Sequence, residues 1–157
     1  MKFVPPLVVL LFAATMLGVW MLDTKRRHLL LFGLSFASFA FGLLVPISLI
    51  SDSLLLTSPI ATTFHFMGGW LLCEGVMIRM GKHYSRFASS LIGLALLGAM
   101  IYFIANDAGY ARIAPAVHLA LGGLVAVLCI QARDLAHGSW IERVLFGALL
   151  LLTVHFY

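Results

Sequence analysis

Long apolar stretches separated by short polar breaks follow one another along the whole chain. An apolar helix of about 20 residues crosses a hydrocarbon core about 30 Å thick. The breaks carry turn and charge signals, as in DTKRRH, SDSLLLTSP, GKHYSR, NDAGYAR and RDLAHGSW. The pattern predicts five complete membrane spans and a truncated sixth, at about 4–22, 29–50, 60–80, 87–105, 113–132 and 141–157. We therefore expect an all-α, polytopic transmembrane helix bundle that forms one domain over residues 1–157.

The composition of the chain indicates a location in lipid. Hydrophobic residues make up 62% of the chain and charged residues 10%, and the mean hydropathy is +1.08. A soluble domain is about half apolar and about a quarter charged. The net charge of +4 comes without a basic helix carrying interleaved aromatic residues, so nucleic acid is not an expected partner. The expected partner is the lipid bilayer.

Positive residues are divided unevenly between the two predicted sides of the membrane. Only Lys2 and Arg112 fall on the side of the N-terminus. The other eight of the ten fall on the opposite side: Lys25, Arg26, Arg27, Arg79, Lys82, Arg86, Arg133 and Arg143. Because Lys and Arg concentrate in cytoplasmic loops, this split predicts an N-terminus outside the cytoplasm.

The predicted sixth span is shorter than the others. From Arg143 to Tyr157 a helix covers roughly 20 Å, less than the hydrocarbon thickness. Six spans that start outside also end outside, so a cytoplasmic output domain would require a seventh. We therefore expect the chain to be a fragment of a longer protein.

Small residues predict where helices approach one another. Within a membrane, helices associate through small side chains that let their backbones come close. The second, third and fifth spans carry such residues at helical spacing. The predicted packing positions are Gly33, Ser38, Gly42, Gly68, Gly69 and Gly122.

Three histidines lie inside predicted spans at a shared depth. His65, His118 and His155 each fall roughly 8–10 Å below the outer boundary. Helical spacing puts small residues on the faces of the first two, which predicts that they point into the bundle. Imidazole binds metals and titrates near neutrality, so the functional interpretation is a metal or haem site or a proton-sensing cluster. The alternative is three separate histidines, each hydrogen-bonded to a carbonyl or hydroxyl.

Glu74 is predicted to lie apart from these histidines. It falls on the opposite face of the helix from His65 and near the inner leaflet. It is either a proton or cation ligand, or a carboxylate that reaches the interface or pairs with a neighbouring helix. Met67, Cys73 and Cys129 are secondary candidates. Methionine with histidine can bind copper, but all three residues also suit simple packing.

Two segments, KRRHLLLFGLSFASFAFGLLVP and GGWLLCEGVMIRMGKHYSR, resemble the N-terminal membrane sensor regions of bacterial diguanylate cyclases, the GGDEF proteins. The matching features are Arg27-His28, Gly68-Gly69, Glu74 and Arg79. The resemblance implies an odd number of spans before a cytoplasmic cyclase that makes cyclic di-GMP. The chain contains no GGDEF motif, so cyclase chemistry is assigned to no residue here.

The expected function is therefore a sensory input domain in the bacterial inner membrane. It would pass a signal from within the bundle or the outer face to an output domain on the same polypeptide, as a homodimer. The alternatives are a small histidine-containing electron-transfer or transport protein and a scaffold subunit. The chain has no HExxH, no Ser-His-Asp order and no glycine-rich phosphate loop, so it is not expected to be an enzyme itself.

Overall fold

Six α-helices and one short 3-10 helix follow one another along the chain. The computed structural model describes residues 3–48, 54–106 and 110–156, and these contain no strand, which confirms the all-α fold. The helices are α1 (Val4–Leu22), α2 (Arg27–Ser48), α3 (Leu54–Arg79), α4 (Arg86–Ala105), α5 (Tyr110–Gln131) and α6 (Trp140–Phe156), and the 3-10 helix is Arg133–His137.

Four helices are long and apolar enough to cross a membrane, which fits a transmembrane protein. They cover Val4–Leu22, Arg27–Ile47, Arg86–Ala105 and Ile113–Gln131. Two helices fall outside this group. α3 has 26 residues but includes polar side chains such as His65 and Glu74, and α6 has 17 residues. The count of five complete spans plus a truncated sixth is therefore not confirmed and stays a prediction.

The start of α3 differs from its predicted position. We expected a break through SDSLLLTSP and a span from about residue 60. Positions 49–53 lie outside the described residues, but α3 already begins at Leu54 and contains Pro59. Proline close to the start of a helix removes few hydrogen bonds, so Pro59 does not end this one. At the other end, Gly81 adopts a positive φ of 71°, which turns the chain towards α4.

α5 lies at the centre of the bundle. It packs against α3, α4 and α6, while α2 packs between α1 and α3. Leu124 and Leu128 of α5 are fully buried, and Cys73 of α3 lies in the same apolar core. Because α1 packs on α2 and on no other helix among the described residues, most of its surface faces outward. The contact of α3 with α5 therefore joins the group α1, α2 and α3 to the group α4, α5 and α6.

Glycines allow the closest helix contacts. A Cβ atom at Gly69 would lie 2.5 Å from Cδ2 of Leu121, and one at Gly33 would lie 2.6 Å from Cγ of Leu17. Gly68 packs under α2, where the Ser35 hydroxyl donates a hydrogen bond of 2.7 Å to the Gly68 carbonyl. Ser38 is also buried. At these positions a larger side chain has no room, as expected for helix packing in lipid.

The positively charged breaks meet at one end of the bundle. The Lys82 ammonium lies 2.6 Å from a carboxylate oxygen of Asp134, which links the α3–α4 connection to the 3-10 helix. This hydrogen bond and the Lys82 charge hold the pKa of the Asp134 carboxyl below its usual value. A shared end for these two connections agrees with the charge split from which the topology is predicted.

We predict that Gly69→Leu lowers the melting temperature in detergent, because the new side chain collides with Leu121 of α5. Overpacking of this kind costs about 1–3 kcal/mol. Gly98→Leu in α4 is the matched control, since a Cβ at Gly98 meets nothing within 4 Å. Circular dichroism melts of both variants measure the difference, and equal melting temperatures would contradict the packing described for α3 and α5.

We predict that a membrane-impermeant maleimide applied to intact cells modifies Asn106→Cys and leaves Lys25→Cys unmodified. Both native side chains are exposed, and the two native cysteines are buried, so background labelling is low. The charge split places Lys25 in the cytoplasm and Asn106 outside. Labelling of Lys25→Cys only after permeabilisation agrees with this topology, and the reverse pattern overturns it.

Candidate functional site

A cavity of about 520 Å³ opens among α1, α2, α3, α5 and α6. Its wall is mainly apolar and includes Phe36, Phe39 and Val117. Four polar side chains line it as well: Thr62, His65, His118 and His155. The structure thus brings the three histidines of the sequence analysis to one cavity, near the end of the bundle opposite Lys82 and Asp134.

His65 has its tautomer defined by the backbone of its own helix. Its Nδ1 lies 2.7 Å from the carbonyl oxygen of Ala61, and since a carbonyl only accepts, Nδ1 carries the proton. In the neutral ring Nε2 then holds the lone pair. The ring meets Phe39 edge-on at a centroid distance of 6.1 Å. A Cβ at Gly42 would lie 2.5 Å from Nδ1, so the absence of a side chain there makes room for the imidazole.

Thr62 is the functional candidate that the sequence analysis missed. It lies three residues before His65 on α3, and residues at this spacing share a helix face. Its side chain is 3% exposed and lines the cavity. Among the hydrogen bonds of the described part of the chain, none involves the Thr62 hydroxyl. The signal in the sequence was the spacing within TTFH, which places one threonine beside the histidine.

His118 and His155 stand at the open side of the cavity. Both line it, but both side chains are exposed, whereas His65 is half-buried. We expected His118 to point into the bundle together with the small residues of its face; Gly122 is buried, but His118 is not. The rotation of α5 directs the imidazole to the rim, because the helix is covered by neighbours on only part of its circumference.

The histidines share a cavity without forming a three-residue metal site. Within residues 3–48, 54–106 and 110–156, no group of three or more His, Cys, Asp or Glu side chains is arranged to hold a metal ion. Haem is held through one or two axial residues and does not need such a group. A metal or haem at these histidines therefore stays a prediction.

Glu74 lies in a different polar cluster. Its carboxylate accepts hydrogen bonds of 2.9 Å from the Tyr84 backbone N–H and 2.9 Å from Nδ1 of His83. Tyr84 in turn donates from its hydroxyl to the Leu124 carbonyl of α5 at 2.8 Å. Burial holds the pKa of the Tyr84 phenol above its usual range. Glu74 thus holds the α3–α4 connection against the bundle, and its partners lie in that connection rather than on another helix.

The secondary candidates lie away from the cavity wall. Met67 is 39% exposed, and Cys73 and Cys129 are free, buried cysteines of the core. Cys129 contacts the Thr153 hydroxyl at 3.6 Å. None of the three belongs to the residues that line the histidine cavity, so the structure does not bring sulfur and these imidazoles together.

No family model, curated protein or solved structure matches the chain. The resemblance to the membrane regions of GGDEF proteins therefore stays an expectation.

We predict that Tyr84→Phe lowers the free energy of unfolding by about 1 kcal/mol, because the buried hydrogen bond to the Leu124 carbonyl is lost. Tyr102→Phe is the control, since Tyr102 is 64% exposed. The folded pKa of Tyr84 is raised, so its contribution is complete below the unfolded phenol pKa of about 10 and decreases as the pH rises further. Denaturant titrations at pH 8 and pH 11 measure both effects; a constant difference between wild type and Tyr84→Phe would contradict this account.

Proposed function

We propose that this chain is the membrane-embedded input domain of a bacterial signalling protein, and that a ligand in the histidine cavity is its signal. The observation that carries the proposal is the cavity itself. Ligand sites in proteins are mostly apolar, measure about 300–1,000 Å³ and contain a few polar groups that orient the ligand. A cavity of about 520 Å³ with Thr62 and three imidazoles among apolar side chains has this composition.

The proposed output is a cytoplasmic domain on the same polypeptide. The resemblance of two segments to GGDEF proteins favours a diguanylate cyclase that makes cyclic di-GMP. The positive-inside distribution favours a multi-pass arrangement in the bacterial inner membrane, with the N-terminus outside. A homodimer is part of the proposal.

Two helices provide a path from the cavity to the cytoplasmic end. α3 carries His65 in the cavity wall and Glu74 nine residues later, about 13 Å along the helix. α5 carries Leu121 in the cavity wall and the Leu124 carbonyl that accepts from Tyr84. A ligand that binds one arrangement of α3 and α5 more tightly shifts the population towards that arrangement. The contacts of Tyr84 and Glu74 would then change at the cytoplasmic end.

A second candidate is a small membrane electron-transfer or transport protein. It is favoured by the hydrogen bond from Nδ1 of His65 to a backbone carbonyl, because metal-binding histidines commonly use this arrangement to present Nε2 to the metal. Protein purified from membranes would then show a visible absorption band that changes on reduction and disappears in His65→Ala. A colourless protein that fulfils the following prediction favours the input domain.

We predict that Ala114→Phe, which fills the cavity from α5, slows hydrogen–deuterium exchange several-fold at residues 80–86. The reason is that a filled cavity restricts the relative motion of α3 and α5, which hold Tyr84. Ala14→Phe is the matched control, since Ala14 is an exposed residue of α1 outside the cavity wall. Mass spectrometry in lipid nanodiscs measures exchange. Slower exchange around position 114 with no change at residues 80–86 would refute the proposal.

A further inference from the structure

We propose that the cavity binds a lipid-soluble aromatic alcohol, of the hydroquinone class, whose hydroxyl group pairs with Thr62 and His65. This inference deepens the proposed function and rests on it, because the aromatic alcohol is the chemical identity of the signal.

The two polar groups on α3 match one hydroxyl group. Thr62 as a residue is 3% exposed, and its hydroxyl has no hydrogen-bond partner within the described residues. Neutral His65 offers a lone pair on Nε2, because Nδ1 donates to the Ala61 carbonyl. A ligand hydroxyl donates one hydrogen bond and accepts another, so it satisfies both groups at once. Their spacing of three residues places them side by side on the helix.

Other oxygen groups fit this pair less well. A ketone or ester carbonyl accepts from Thr62 but leaves the Nε2 lone pair of His65 without a donor. A carboxylate has no hydrogen to donate, so it too leaves the Nε2 lone pair of His65 without a donor while Nδ1 is bonded to the Ala61 carbonyl. A hydroxyl is both a donor and an acceptor, so it can serve His65 and Thr62 together.

The rest of the wall suits an aromatic ring. Phe36 and Phe39 line the cavity together with the imidazoles, and aromatic rings attract one another edge-on or offset beyond their area of contact. The remaining side chains are mainly aliphatic and accommodate a short alkyl chain.

The proposal includes a route from lipid into the cavity, beside the rim that carries His118 and His155. Val9 of α1 and Leu152 of α6 both line the cavity, yet α1 and α6 have no contact with each other among the described residues. The gap between the two helices is therefore an open side of the bundle within the apolar layer. A molecule that carries an alkyl tail reaches the cavity from the bilayer and leaves its tail there.

The test uses the whole protein in nanodiscs and 2-decylhydroquinone kept reduced under argon. Its dimethyl ether keeps the ring and the tail but cannot donate a hydrogen bond, and tailless methylhydroquinone tests the route through lipid. Calorimetry measures the dissociation constants. We expect the hydroquinone to bind about tenfold more tightly than the ether, since the lost hydrogen bonds correspond to about one decade in affinity. We expect the tailless ring to bind more weakly than the tailed one.

The variant Thr62→Val keeps the shape of the side chain and removes the hydroxyl. We expect it to abolish most of the preference for the hydroquinone over the ether. Thr63→Val is the matched control, because the Thr63 hydroxyl is already bonded to the Pro59 carbonyl at 2.8 Å and its side chain is exposed. Thr63→Val should bind both compounds as the wild type does. Its melting temperature shows how much a threonine-to-valine change at a neighbouring position affects stability.

The outcomes separate this inference from the proposed function. The inference is overturned if the hydroquinone and the ether bind equally, or if decanoate binds more tightly than the hydroquinone. In either case, slower exchange at residues 80–86 in Ala114→Phe still supports an input domain. Equal binding of the tailless ring overturns the route from lipid. Binding that depends on Thr62 without any change of exchange at residues 80–86 supports the inference and refutes the signalling function.

Discussion

The close approach of α3 and α5 is the contact on which the rest of the bundle depends. Within the described part of the chain α1 packs only on α2, and α2 packs on α3, whereas α4 and α6 pack mainly on α5. Because Gly69 has no side chain, Leu121 packs directly on the α3 backbone. A Cβ atom at this position would lie only 2.5 Å from Cδ2 of Leu121. Both the cavity and the polar cluster of Glu74 and Tyr84 include residues of α3 and adjoin α5, so the same contact affects the shape of each.

α3 contributes polar side chains to the bundle at two levels. Thr62 and His65 mark one level and Glu74 marks the other. Between these two levels, α3 contributes glycines, apolar side chains and Cys73 to the interior. In lipid each backbone N–H and C=O must be satisfied within the helix, so side chains are the only free source of polarity. The spacing of polar residues along α3 therefore separates the histidine cavity from the cluster that anchors the α3–α4 connection.

Features that depend only on the regular rise of an α-helix could be predicted from the sequence, and features that depend on helix rotation or on the path of a connection could not. The depth of His65, His118 and His155 follows from helix length alone, and the three residues do line one cavity. The rotation of α5 does not follow from length, and His118 lies on the rim although a face with Gly122 predicted otherwise. Glu74 lies outside the cavity of His65, His118 and His155, and its partners His83 and Tyr84 come from a connection whose path depends on the turn at Gly81. Thr62 was missed because a threonine carries no charge to mark it.

α1 provides one wall of the cavity without touching the central core. Its buried residues are Pro6 and Ala13, and among the described residues it packs on α2 and on no other helix, while its Val9 lines the cavity. The position of this wall is therefore determined by α2. A change in how α1 packs on α2 would alter the cavity without disturbing the contact of α3 with α5.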